Sequence, residues 1–133
     1  MINIKFNKLN IHQDYGEVLY NIYFVVENGR STIKEFYSLP SDVQDDIKDL
    51  VSNMATMEKV ESDKVTYNLK SRSYGEIRPW AHRFFFFRKC GKNYIFFGYT
   101  EKKTRSLSSE VYDKFERKMK KYEREFEKFI NEN

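Results

Sequence analysis

A single cysteine, Cys90, stands in 133 residues. That excludes an intrachain disulfide and leaves no paired-thiol zinc motif. The two histidines, His12 and His82, lie far apart in sequence and give little support to a His-based metal site. Two prolines and five glycines are too few for a low-complexity linker. No run of eighteen apolar residues exists, so no transmembrane helix is expected and no membrane partner is read. The start, MINIKFNKLNIHQD, has no apolar core and no small-residue cleavage site, so no secretory signal is read and a cytoplasmic protein is expected. Walker loop, HExxH and nucleophile elbow are all missing.

What is present is a well-mixed chain, 40% hydrophobic and 33% charged, with ten Tyr, twelve Phe and one Trp. Its length suits one domain over residues 1–133, large enough to bury a core. Net charge is +4, unevenly distributed. Residues 1–66 carry −4 and residues 67–133 carry +8. Within 70–105 there are ten cations (Lys70, Arg72, Arg78, Arg83, Arg88, Lys89, Lys92, Lys102, Lys103, Arg105) against two acids, Glu76 and Glu101. Residues 106–133 are balanced, seven of each sign. A local basic field of this kind favours a polyanion, most often nucleic acid; the plainer reading is a solvated surface. Two acids in the segment are too few for a metal-dependent nuclease, so no cofactor or metal is expected.

Residues 17–26 are rich in β-branched and aromatic side chains and predict a strand. Asn28-Gly29 signals a hairpin, with a return strand or a short helix over 32–37. After Pro40, Ser41 and Gln44 have capping-box spacing, and Val43, Ile47, Leu50, Val51 and Met54 form one apolar stripe, predicting a helix over about 42–56. Short strands are predicted at 65–69, 75–79, 82–88 and 93–99, with a turn at 89–92. In the third of these, Arg83 shares a face with Phe85 and Phe87, while His82 belongs to the other face. Both faces are aromatic, so this strand should be central and covered on both sides. From about 108 to 130, Val111, Phe115, Met119, Tyr122, Phe126, Phe129 and Ile130 recur at helical spacing, with Ser106, Ser108 and Ser109 as candidate N-caps. The far end of this helix could pack on the sheet or meet a partner through Tyr122, Phe126 and Phe129. The fold class that follows is α+β: a small twisted, mainly antiparallel sheet packed by the 42–56 helix and the long C-terminal helix. Residues 1–35 are read as an N-terminal strand or hairpin region.

One phosphodiester chemistry needs no metal. A ribose 2′-OH can attack its own neighbouring phosphate if the protein aligns the backbone, neutralises the pentavalent intermediate and moves two protons. Arginines suit the second task because they stay charged and fork onto phosphate oxygens. A Lys or Tyr among cations should have its pKa lowered and so serve as acid or base. Arg78, Arg83, Lys102, Lys103, Arg105, His82, Tyr99 and Tyr112 are of the required types.

An ordered set of motifs carries a family resemblance. Tyr74-Gly75-Glu76-Ile77-Arg78, then His82-Arg83-Phe84-Phe85-Phe86, then Tyr94-Ile95-Phe96-Phe97-Gly98-Tyr99 and Lys102-Lys103-Thr104 resemble the RelE/HigB toxin superfamily, in its HigB-like, phage-derived branch. Leu39-Pro40 before the first helix and Ser109-Glu110-Val111-Tyr112 at the last look similar. The resemblance covers about residues 36–125. It implies a RelE-like fold and a metal-free mRNA endoribonuclease, cleaving mRNA on the ribosome and neutralised by a cognate antitoxin protein. It implies catalytic roles for Arg83 at the scissile phosphate, for Lys103 and for Tyr112 in proton transfer. It implies substrate binding by Lys70, Arg72, Arg78, Lys102 and Arg105, with pairing to Glu76 or to a helix carboxylate as the structural reading of Arg78. His82 ranks below Tyr112, because neighbours in a strand point to opposite faces. Trp80-Ala81 interrupt where the family runs simply from strand to strand. Other functional classes with the same basic sheet are a non-catalytic RNA- or protein-binding module of phage or plasmid origin and a ParE-like gyrase inhibitor.

Overall fold

The computed structural model describes residues 2–11, 16–102 and 107–132. Its elements, in chain order, are strand β1 (Ile4–Leu9), β2 (Asn21–Glu27), β3 (Arg30–Ser31), helix α1 (Ser41–Thr56), β4 (Val65–Thr66), β5 (Gly75–Ile77), β6 (His82–Arg88), β7 (Asn93–Glu101) and helix α2 (Ser109–Glu132), with 3-10 turns at Lys34–Ser38 and Leu69–Ser71. The fold is α+β. One mixed sheet has the order β1-β2-β7-β6-β5-β4, and β3 pairs with β2. Every pairing is antiparallel except β2 with β7.

Each face of the sheet carries one helix. Phe84 and Phe86 of β6, Phe96 of β7 and Ile22 of β2 pack under Val43, Ile47, Val51 and Met54 of α1. Phe85, Phe87, Ile95 and Phe97 pack under Tyr112, Phe115, Met119, Tyr122 and Phe126 of α2. The period-two alternation of β6 thus feeds two cores, as its aromatic faces predict. α2 has 24 residues, about 36 Å at the standard rise. It crosses the sheet from β5 to β1. Tyr122 and Phe126 are fully buried, so they belong to the core and not to a docking stripe.

Local chemistry explains the element ends. Asn28 (φ 53°) and Gly29 (φ 79°) take the left-handed values of a tight hairpin. The return strand is only Arg30–Ser31; residues 34–38 form a short 3-10 helix, the second of the two alternatives read over 32–37. The capping box is not formed. Pro40 occupies the N-cap position, its carbonyl takes the Gln44 N–H at 3.0 Å, and the Gln44 amide donates to the Leu39 carbonyl at 3.0 Å. At α2, Ser108 acts as N-cap, its Oγ accepting the Val111 N–H at 3.4 Å. Strand β1 falls within the strand or hairpin region read over 1–35, where no bounds are set for it. Its signal lies in Ile2, Ile4 and Phe6 alternating with Asn3, Lys5 and Asn7.

A bulge in β7 sets the seat of α2. Phe85 faces Gly98 and Phe86 faces Phe96, so Phe97 is the extra residue. Phe97 and Gly98 both point toward α2, and a Cβ at Gly98 would lie 2.6 Å from a Phe115 ring carbon. Gly98→Ala is therefore expected to cost about 1–3 kcal/mol through overpacking, read as a lowered urea midpoint. An unchanged midpoint would mean that α2 shifts freely on the sheet.

Candidate functional site

The basic segment converges on one acid. Tyr74 and Glu76 lie on the α2 face of β5, and Glu76 sits opposite Phe85 of β6. Gly75 between them is required sterically, since a Cβ there would run into the carbonyls of Thr66 and Tyr67. Arg83, two residues before Phe85, shares the same face. Its Nε lies 3.6 Å from Glu76 Oε2, and its Nη1 donates to the carbonyls of Trp80 and His82, each at 2.9 Å. Arg78 Nε is 3.9 Å from the same carboxylate oxygen, and the Arg78 fork donates to the Asp63 carbonyl at 3.0 and 2.6 Å.

The Glu76 side chain is 3% exposed and that of Arg83 9%. Among the described residues Glu76 Oε1 has no hydrogen-bond partner. Burial pushes the Glu76 carboxyl above the usual range, and this outweighs the opposing pull of Arg83, Arg78, Lys102 and Lys70. Four cations thus act on this one acid. Lys102 follows β7; its N–H donates to the Ala81 carbonyl at 2.7 Å, which brings it beside the β5–β6 turn.

Tyr112 enters from the first turn of α2. Its carbonyl accepts the Tyr74 hydroxyl at 2.6 Å. Its ring lies under the Lys70 ammonium at 4.8 Å and the Arg72 guanidinium at 5.9 Å. The expected lowering of the tyrosine pKa is overturned. Burial, helped by Glu76, raises it against Arg83, Arg78 and Arg72. A hydroxyl in such a place is a proton donor at neutral pH and not a base.

The sequence-derived residues separate as follows. Arg83, Arg78, Lys102, Lys70 and Tyr112 share one neighbourhood. Arg72 joins β5 to α2 through Asp113 at 2.8 Å and Glu116 at 3.2 Å, so its charge is matched locally. His82 is on the opposite face, with Nδ1 2.7 Å from the Tyr99 hydroxyl. Lys103 and Arg105 lie outside the described residues, as do His12 and Ser106. Glu76 is the residue at the centre of this cluster that sequence reasoning undervalued; its signal was to be one of two acids among ten cations. Among the described residues no group of three His, Cys, Asp or Glu side chains could hold a metal ion, and no helix is long and apolar enough to cross a membrane.

A well-formed concavity lies elsewhere. It is a groove of about 750 Å³ between α1 and the sheet, lined mainly by apolar groups such as Phe24, Phe36, Phe84 and Phe96. It lacks convergent charge, so the chemistry is better sought at Glu76. A polar cleft of about 610 Å³ has Arg72, Lys59 and Arg88 in its wall. Comparison of the chain with protein-family models, curated proteins and solved structures yields no match.

Proposed function

We propose that this chain is a toxin of the RelE/HigB type, a RelE-like α+β domain that cleaves mRNA on the ribosome without a metal and is held in check by a cognate antitoxin in the cytoplasm. The reading rests on the resemblance of the 74–104 motifs. The observation that carries it is the convergence of Arg83, Arg78, Lys102 and Lys70 about Glu76 beside Tyr112. A phosphodiester seated there would meet several cations as charge develops on its oxygens. The Tyr112 hydroxyl, held protonated by burial, is available to donate to the leaving 5′-oxygen, and the raised pKa makes it a weaker acid than a free tyrosine. Arg83 serves this reading as the buried anchor of the cluster, with Lys102 more open to a phosphate.

A second reading is favoured by a specific fact. The guanidinium groups of Arg83, Arg78 and Arg72 are all engaged within the chain. Such a surface can hold RNA without cutting it. One experiment separates the two: induction in bacteria, with mapping of transcript 5′ ends and growth curves. Cleavage predicts discrete new ends with wild type and a loss of about 10²-fold or more with Lys102→Ala. Intact transcripts with salt-sensitive RNA binding would replace the enzyme by the binding module. Neither cleavage nor RNA binding would refute both.

A further inference from the structure

The turn between β5 and β6 has a feature that the proposed chemistry does not use. Trp80 is 70% exposed, yet its backbone takes φ 59°, a left-handed value that a bulky side chain rarely adopts. The turn is pinned at three successive carbonyls. His82 N–H donates to Pro79 at 3.0 Å, Arg83 Nη1 to Trp80 at 2.9 Å and Lys102 N–H to Ala81 at 2.7 Å. Two of those three donors belong to residues of the cationic cluster. The indole is therefore displayed to solvent by a rigid turn that the cluster itself ties down. Strain held in place by its surroundings in this way is a mark of functional positions.

We propose that Trp80 is a stacking platform for an unpaired base of single-stranded RNA whose neighbouring phosphate lies on the Arg83–Lys102 cluster. The proposal rests on the nucleic-acid reading of that cluster and adds a base contact to it. A flat aromatic face beside a basic groove is the combination by which proteins hold single strands, and it tolerates any base because every base has a π-face. A protein partner would favour a contiguous apolar patch. The residues tied to this turn are instead Arg78, Arg83 and Lys102.

Trp80 is the single tryptophan of the chain, so its emission reports on this position alone. Full-length protein is titrated with a short labelled single-stranded RNA, following label anisotropy and tryptophan emission together, with inorganic polyphosphate as the second ligand. Stacking predicts quenching with the same midpoint as the anisotropy change, little change of emission with polyphosphate, and a weakening of RNA affinity by about 5- to 150-fold in Trp80→Ala, partly recovered in Trp80→Phe. RNA binding with unchanged emission, equal affinity of Trp80→Ala, or the same quenching by polyphosphate would overturn the platform while leaving the nucleic-acid reading intact. No binding of RNA by the wild type at low salt would overturn both.

Discussion

Arg83→Ala is expected to destabilise the protein by about 3–5 kcal/mol, because it leaves Glu76 charged and buried without the nearest cation among the described residues. Arg78 is 3.9 Å away and already committed to the Asp63 carbonyl, so it compensates poorly. Removing both charges, as in Arg83→Met with Glu76→Leu, should restore much of the loss, since the cost lies in the orphaned carboxylate. The pH dependence identifies the cause. Burial raises the Glu76 pKa in the native state, so between the ordinary carboxylate value and the raised one the folded chain binds more protons than the unfolded chain. Stability contributed through this group therefore rises as pH falls through that window and is lost as pH rises through the native value. Without Arg83 the native value climbs further. The deficit of Arg83→Ala should be largest at and above neutral pH and shrink on acidification. Urea denaturation of the three proteins across this range checks it. A deficit below about 1 kcal/mol, or one independent of pH, would be incompatible with a buried Arg83–Glu76 pair. The same argument bears on function: lost growth inhibition in Arg83→Ala would mix folding with chemistry, which is why Lys102→Ala is the better functional test.

Phe126→Ala should cost a similar amount, about 3–5 kcal/mol. The ring is fully buried and meets Phe6 of β1 edge-on at 5.1 Å and Tyr23 of β2 at 5.2 Å. It fastens the distal half of α2 over the β1 edge, and Tyr122 assists by donating to Glu27 Oε1 at 3.2 Å. Phe126→Leu keeps most of the volume and should cost less than about 1.5 kcal/mol. Had the far end of the helix projected toward a partner, Phe126→Ala would change stability by no more than about 0.5 kcal/mol. Thermal unfolding of the two variants decides between these sizes of effect.

Much of the scaffold was readable from periodicity. The stripe Val43, Ile47, Val51 and Met54 and the longer one from Val111 to Phe126 are helical, and both appear as helix faces on a core. Residues 82–88 alternate as a strand should, and β6 spans those residues. These patterns are local, so short-range geometry is enough to read them. Elements of two or three residues were misjudged for the complementary reason. The 65–69 segment has strand composition, but only Val65–Thr66 pair, and Leu69–Ser71 turn away with Lys70 and Ser71 at positive φ.

Charge counting also located the basic region, and alternation alone put His82 and Arg83 on opposite faces. Neither could say which cations remain open to a ligand. That depends on long-range partners: Asp63 for Arg78, Asp113 and Glu116 for Arg72, Glu76 for Arg83. Nor could composition give the direction of the Tyr112 shift. Neighbouring cations argue for a lower pKa, and only the degree of burial between α2 and the sheet decides that desolvation prevails. Side-chain spacing along the chain thus determined the helices, the central strand and its two faces. Tertiary packing decided the state of the charges, because the free energy of an ion depends on which groups and how much water surround it, and distant segments supply both.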